Sequence, residues 1–339
     1  MRIALDAMGG DHGPDELIAG AIQALEETDL HLTLVGNESV IRSCLDRVPP
    51  ADSITSRLRI VHTSEMVEMG ESPVEAIRKK RNSSVMLAFD LVKKGEVEAA
   101  VSAGNSGATM AAAVRKLGRL KNVSRPGIAN AFPTLKKPVV MMDVGANVDC
   151  RSSHLFQFAL MASAFSRIFD IDSPRVGLLS IGEESGKGNQ VVKETHSLLA
   201  ASSLNFVGNV EGRDIFQGDI DVIVCDGFVG NICLKVSEGL VEAATEMIRE
   251  GIMGSFKAKI GYWLAKPVFR TFKKRLDYAE YGGAPLLGIN GTGIICHGAS
   301  NALAIKNAII EAAKIVENKV NEKITESLAE NLEPLKETQ

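Results

Sequence analysis

A three-layer α/β/α fold built on a mostly parallel sheet, with one helical excursion, is predicted by two observations. Short aliphatic and β-branched runs alternate with amphipathic segments along most of the 339 residues, which is the rhythm of βαβ units. Several of those runs end in Gly, then a polar residue, then a new helical pattern, so the ligand loops are expected at the carboxyl ends of the strands. Hydrophobic residues at 45% and charged residues at 24% suit a chain that buries a sizeable core.

Taken in order, the strand runs are "RIALDA", "HLTLVG", "RLRIVH", "EAAVSAG", "PVVMMDV", "RVGLLSIG", "LNFVGNV" and "DVIVCDG". Amphipathic segments at 14–27, 84–94 and 189–201 supply helices between them. Two regions break the rhythm. Residues 230–254 read as one long amphipathic helix, and it runs straight into "GYWLAKPVFRTFKKRL", where Lys257, Lys259, Lys266, Arg270, Lys273, Lys274 and Arg275 follow one another without an acidic residue. "YGGAPLLGINGTGIICHG" then returns to strand and tight-turn vocabulary. Residues 1–321 therefore read as a single α/β domain that includes a helical excursion at 237–280, and 322–339 as a charged tail expected to fray. Within the basic stretch Pro267 is expected to leave a loop or two short helical pieces.

Several function classes lose weight. The apolar runs are interrupted by Asp, Gly or Asn long before they could cross a bilayer, and the N-terminus passes at once into a strand containing Asp6, so a cytoplasmic protein is expected. Five scattered cysteines without a C-x-x-C spacing read as free thiols, and no metal site is expected. No loop carries the dinucleotide fingerprint, and "GEESGKGN" lacks the Walker spacing, so no nucleotide cofactor is expected. No nucleic-acid partner is expected either.

The loop "SAGNSGATM" follows a strand and opens a helix. Gly104 and Gly107 let backbone amides face a ligand, and Asn105, Ser106 and Thr109 add neutral donors where the helix dipole favours an anion. The same loop reads equally well as a tight turn with an ordinary cap. "DVGANVD", "GEESGKGNQ" and "CDGFVGN" share its grammar, and in the second Lys187, between Gly186 and Gly188, is the cation best placed for a phosphate. The set is expected to converge on one site.

"DAMGGD", "VEMGESP", "IRKKRNSS", "SAGNSGA", "MMDVGANVDC", "RVGLLSIGEE", "KGN", "GNVEGRDI", "VCDGFVGN" and "GAPLLGINGTGIICHG" together resemble the bacterial phosphate acyltransferase family known as PlsX, from Met1 to about Ala313. Ser106 and Ser180 stand where Thr or Asn is expected in many relatives. The resemblance implies transfer of a fatty acyl group from acyl carrier protein to inorganic phosphate, giving an acyl phosphate for phospholipid synthesis. It also implies a fold similar to phosphotransacetylases and the isocitrate dehydrogenase group, and a homodimer. Supported by it, Lys187 is assigned to the phosphate or oxyanion charge and Asn231 to the paired donor. Gly104, Asn105, Ser106 and Gly107 form the anion cradle, and Asn147 and Asp226 orient it. His297, before a helix start, is either a donor to substrate or a structural residue.

A covalent route would use Cys225, or Cys296 beside His297; but buried strand cysteines are usually inert, and neighbours in a strand face opposite ways. A decarboxylating dehydrogenase on the same kind of fold would need a nucleotide fingerprint or an acidic metal cluster, and neither is evident. A non-catalytic scaffold would leave the polar Gly loops without a task. Arg115, Lys116 and Arg119, on the helix after the first loop, are candidates for docking an acidic carrier protein, whereas "IRKKR" reads as a solvated face. Trp263, Phe269 and Phe272 among the cations suggest peripheral contact with an anionic membrane at the inner face of the cell membrane, the alternative being that these rings pack in a dimer interface.

Overall fold

The structure is a computed structural model and describes residues 1–337; the last two residues of the predicted tail, Thr338 and Gln339, lie outside the described residues. The chain opens with β1 (Arg2–Asp6), α1 (Pro14–Glu27), β2 (His31–Gly36), α2 (Glu38–Arg47), the single turn α3 (Asp52–Thr55) and β3 (Leu58–His62). Helices α4 (Pro73–Lys79) and α5 (Ser84–Lys93) lead to β4 (Ala99–Ser102), α6 (Ser106–Leu117), β5 (Gly127–Phe132) and β6 (Val139–Met142). Then follow α7 (Ser152–Phe165), β7 (Val176–Leu179), α8 (Gln190–Ala200), β8 (Phe206–Val210) and β9 (Val222–Val224). The long pair α9 (Gly227–Met253) and α10 (Phe256–Leu276) precedes β10 (Ala284–Leu287), β11 (Thr292–Ile295), α11 (Ala302–Glu317) and α12 (Val320–Glu337).

All eight expected strands are present, and β5, which follows Pro126, is one that the apolar runs did not announce. Among the described residues the strands form an 11-stranded sheet in the order β3-β2-β1-β4-β11-β10-β5-β6-β9-β7-β8. Pairing is parallel except around β5 and β10: β10 is antiparallel to both β11 and β5, and β5 is antiparallel to β6.

Period-two alternation fills both faces of the sheet. Ile3, Leu5, Leu32, Leu34 and Val101 share one apolar cluster with Leu17 of α1 and Ile305 of α11, whereas Ala4 and Ala100 face Phe89 of α5 and Ala112 of α6. In the second half Val140, Met142 and Val224 pack with Leu155 and Phe158 of α7, and Met141, Ile223 and Cys225 turn to the opposite face. The helices begin where short polar side chains can satisfy first-turn N–H groups. Asn37, Asn105, Asn189, Asp226 and Asn301 each accept such a hydrogen bond, a device worth about 1 kcal/mol per helix.

Two expectations are corrected. The stretch with Pro267 is one 21-residue helix, α10, with the proline inside it. Proline removes one donor, and along this exposed helix water can take the carbonyl that is left over, so the turns on either side continue. The segment after Glu322 continues as helix α12, anchored as far as Asn331: Ile324 and Leu328 are fully buried in the core cluster with α7, and Asn331 accepts hydrogen bonds from the N–H and hydroxyl of Ser203.

A buried carboxyl on α11 carries a pH signature. Glu311 accepts a hydrogen bond from the Gly283 N–H at 3.3 Å, and burial raises its pKa from 4.5 to about 8, against the pull of that donor and of Lys314. The folded protein keeps a proton that the unfolded chain releases above 4.5, so stability should fall as pH rises from 4.5 towards about 8. Glu311→Gln should flatten this part of the melting-temperature profile and melt above the parent on the alkaline side; parallel profiles for the two proteins would refute it.

Candidate active site

Strand direction divides the expected loops into two groups. β4 and β11 run together, while β10, β5 and β6 reverse direction one after another, so β6 and β9 point opposite to β4. The loop 103–109 therefore joins the loops after β1 and β11, and the loops after β6, β7 and β9 form a second group.

In the first group Asp6, buried at the end of β1, accepts from the Ser102 hydroxyl at 2.8 Å and from the Met8 N–H at 3.2 Å. Burial pushes its carboxyl upward, with the serine hydroxyls opposing. Asn105 is committed on both sides: its Oδ1 accepts from the Ala108 N–H at 3.0 Å and its Nδ2 donates to the Met69 carbonyl at 2.7 Å. The glycines here answer to close packing. A Cβ on Gly107 would lie 2.7 Å from Pro73, and one on Gly9 would lie 2.5 Å from the Gly104 nitrogen. Ser106 is exposed on the first turn of α6. His297 is exposed, accepts from the Ala299 N–H at 3.1 Å and stands beside Gly298 in this group, while its neighbour Cys296 points into the core.

The second group is organised by Asp143, which the loop pattern contained but did not single out. Its buried carboxylate accepts from the N–H groups of Ile128, Gly145, Ala146 and Asn147 and from Asn147 Nδ2, at 2.7–3.2 Å. Burial pushes this carboxyl up and the donors pull it down. Asn147 also donates to the Pro126 carbonyl at 2.8 Å, and its own carbonyl receives the Gly227 N–H at 2.8 Å, which ties the start of α9 to the loop. Asp226 caps α9 through the Val229 N–H at 2.8 Å. Asn231, one turn in, is exposed and lies against Gly145.

Lys187 enters from the other side. Its loop turns back through a hydrogen bond from the Lys187 N–H to the Glu184 carbonyl at 2.9 Å, and Asn209 Nδ2 holds that same carbonyl at 2.8 Å from β8. Asn209 is a second residue not foreseen; an Asn inside the apolar run "FVGNV" was its signal. Glu183, in the same loop, is engaged by Arg213 at 3.1 Å. Among the described residues no ion pair involves Lys187, and it is exposed.

The helices α8 and α9 both start in this group, so two dipoles and one free ammonium favour an anion at the same place. Beneath the loops lies a cavity of about 450 Å³, lined mainly by apolar side chains from α7, β7, α8 and α9, with Gly188, Asn189 and Asp226 in its wall. The Cys225 thiol, on the sheet face opposite Leu155 and beside the Asp143 carbonyl, is buried and its pKa is pushed well up, so it is a poor nucleophile; burial pushes Cys296 up as well.

The other predicted positions fall outside both groups. Arg115 is exposed on α6; Lys116 is half-buried in an ion pair with Asp90 at 2.8 Å; the Arg119 guanidinium donates to the Ser124 carbonyl. Trp263 and Phe272 are exposed on α10, and Phe269 is half-buried with its ring 5.1 Å from that of Tyr262.

Comparison with known proteins bears on the whole chain. A family model described as "Fatty acid synthesis protein" matches residues 1–323. A protein named phosphate acyltransferase from Trichlorobacter lovleyi is 52% identical over 332 residues, 98% of this chain and 95% of that one. Another from Pelotomaculum thermopropionicum is 51% identical over 329 residues, 97% and 95% of the two chains. Among solved structures, a phosphotransacetylase from Streptococcus pyogenes superposes with a TM-score of 0.63 at 21% identity, covering 94% of each chain. A branched-chain phosphotransacylase from Enterococcus faecalis gives 0.56 at 15% identity, covering 93% of this chain and 99% of that one. At these identities the structures establish a shared α/β fold.

The contact between α9 and Asp143 is a sharp test of the geometry. A Cβ on Gly230 would lie 1.9 Å from the Asp143 carbonyl oxygen, so Gly230→Ala must displace the helix start or the loop. We expect a loss of about 2–3 kcal/mol in urea unfolding. Gly186→Ala, at a position with nothing within 4 Å of the new Cβ, should stay within about 0.5 kcal/mol of the parent. Equal stability of the two variants would contradict this packing.

Proposed function

The chain belongs to the fatty acid synthesis protein family, whose members at about half identity are phosphate acyltransferases, and from that membership we propose the chemistry of its loops. The protein is a phosphate acyltransferase. Inorganic phosphate attacks the carbonyl carbon of a fatty acyl thioester; the new C–O bond forms, the C–S bond breaks, and the thiolate of acyl carrier protein leaves and takes up a proton. The products are an acyl phosphate and free carrier thiol. One observation carries the residue assignment: Lys187 and Asn231 are brought to the same loop group, at the starts of α8 and α9, and Lys187 has its charge unspent.

In this reading Lys187 holds the phosphate or the oxyanion, and Asn231 Nδ2 donates to the oxyanion of the tetrahedral intermediate. Removing one preorganised donor of this kind costs about 3 kcal/mol of barrier, roughly a hundred- to thousand-fold in turnover. Asn147, Asp226 and Asp143 position the loops, and Asn209 positions the Lys187 turn. Asn105 is assigned a structural task in the first group, where it spends its side chain on the α6 cap and on the 69–71 backbone, and Gly104 and Gly107 serve close packing there.

Two features support a homodimer attached to a membrane. Phe228, Ile232, Val236 and Leu240 recur every fourth residue along α9 and are exposed, a stripe that a second copy of the helix can cover. On α10, Trp263 (71% exposed), Leu264 (69%) and Val268 (70%) share the helix with its cations. Such a helix rests on an anionic leaflet, each cation near the surface contributing about 1 kcal/mol. Among the described residues no helix is long and apolar enough to cross a membrane. Arg115 remains available to an acidic carrier; Lys116 is already paired.

The decisive assay follows phosphate-dependent release of carrier thiol from acylated carrier protein, with hydroxylamine trapping of the acyl phosphate. Lys187→Ala and Asn231→Ala should each lower turnover at least about a hundred-fold with little change in melting temperature; near-normal turnover in Lys187→Ala would overturn the assignment. For the membrane, vesicles rich in anionic lipid should sediment the parent at low salt and release it at high salt. The pair Trp263→Ala and Leu264→Ala should stay in the supernatant yet turn over soluble substrate. Equal recovery of parent and double variant in the pellet would return α10 to protein packing.

A further inference from the structure

The cavity under the Lys187 loop has walls but no assigned occupant. It is a cleft partly open to solvent: Leu155 and Leu178, with almost no accessible surface, close its floor, and Val229 with Ile181, which is 83% exposed, stand at its rim. Val192 of α8 closes one side. Polar groups lie where the loops begin, at Asn189 and Asp226, together with the Ser180 hydroxyl, a buried oxygen without a hydrogen-bond partner in the structure. The apolar depth offers few of the two to four polar partners that a resident water needs. At about 450 Å³ the space lies within the range of small-molecule sites, roughly 300–1,000 Å³.

The geometry points to this cavity as the binding site for the hydrocarbon chain of the acyl donor. The inference rests on the acyltransferase reading above and adds a specificity determinant to it. A thioester carbonyl held between Lys187 and Asn231 has two substituents. The carrier's arm is polar and must lead outward to its protein. The acyl chain can either stay in water or enter the apolar space that opens between Gly188 and Val229, one residue from Lys187 and two from Asn231 along the chain. Each methylene that leaves water contributes roughly fourfold in binding, so a chain several carbons long is drawn inward. Val192 and Val229 then set the width of the neck, and Leu155 with Leu178 sets the depth.

The test compares carrier protein loaded with hexadecanoyl and with butanoyl groups, read as kcat/KM for phosphate-dependent thiol release. Val192→Phe narrows the neck and should lower the ratio of long-chain to short-chain kcat/KM at least about tenfold, within the range by which apolar pockets discriminate chain length. Val192→Ala widens it and should hold that ratio at or above the parent's. Ratios unchanged in both variants overturn the inference, and a uniform rise in KM with both donors gives the cavity to the carrier's arm instead. Absence of release by the parent with either donor would sink the acyltransferase reading and not the cavity. A separate measurement needs neither turnover nor a variant: hexadecanoate bearing a terminal diazirine, irradiated with the parent protein, should label peptides containing Leu155 or Val192. Labelling confined to α9 and α10 would overturn the inference.

Discussion

At the end of β6, Asp143 places a carboxylate out of reach of water and surrounds it with five N–H donors. An uncompensated buried charge of this kind costs several kcal/mol, so loop 144–147 and the start of β5 are held in the arrangement that points those donors inward. Everything near the site hangs on that arrangement. Ile128 belongs to the antiparallel neighbour, Asn147 bridges to Pro126 and to Gly227, and the Asp143 carbonyl is the surface against which Gly230 fits. Gly230 can occupy this place because it has no Cβ. Asn231 follows it directly, so its direction is set by a contact between two backbones rather than by its own interactions.

The residues of the two loop groups show how far the sequence could be read. Local grammar was legible: apolar runs marked eight of the strands, and an ordinary helix cap was one of the two readings of the 102–110 loop, the one Asn105 fills. Asp143 could have been found by analogy with Asp6, since each closes an apolar run and is followed within three residues by a Gly-bearing turn. Strand direction was not legible. The run "GIANAF" is short, mixes Asn with apolar residues and follows a proline, so β5 left no strong pattern, and without β5 and β10 a parallel sheet would bring all the Gly loops to one edge. Inserting these two strands sends the 103–109 loop to a different edge from the Lys187 and Asn231 loops. Loop vocabulary reports what a loop can bind; only the hydrogen-bond ladder decides which loops meet.

Composition also misled where exposure decides. Pro267 would stop a helix that needed every carbonyl paired in a core, but α10 lies open to water over most of its length. The reverse holds at the C-terminus, where a charged composition conceals Ile324, Leu328 and Asn331 spaced three or four residues apart along one face of α12. A few buried side chains at helical spacing outweigh many solvated charges, because the charges cost little to leave in water and the apolar groups gain by leaving it.

The longest helix links these levels. α9 starts at the Asp143 knot, carries Asn231 one turn in, and shows its exposed apolar stripe from Phe228 onward, so the proposed dimer contact and the proposed catalytic donor share the same helical turns. Its 27 residues span about 40 Å, which separates the α9–α10 turn from the loops at its start by far more than the length of a substrate head group. Chemistry and membrane contact are therefore assigned to opposite ends of one rigid element. The proposed acyl site bears on that division: a hydrocarbon tail lying in the largely apolar cleft beside Lys187 would be partly covered while its carbonyl reacts. The Cys225 thiol offers no alternative nucleophile, because its burial beside the Asp143 carbonyl pushes it well up. Burial disfavours the thiolate, so in the proposed reaction the attacking charge is brought in by phosphate, and the starts of α8 and α9 with the Lys187 ammonium are the groups proposed to receive it.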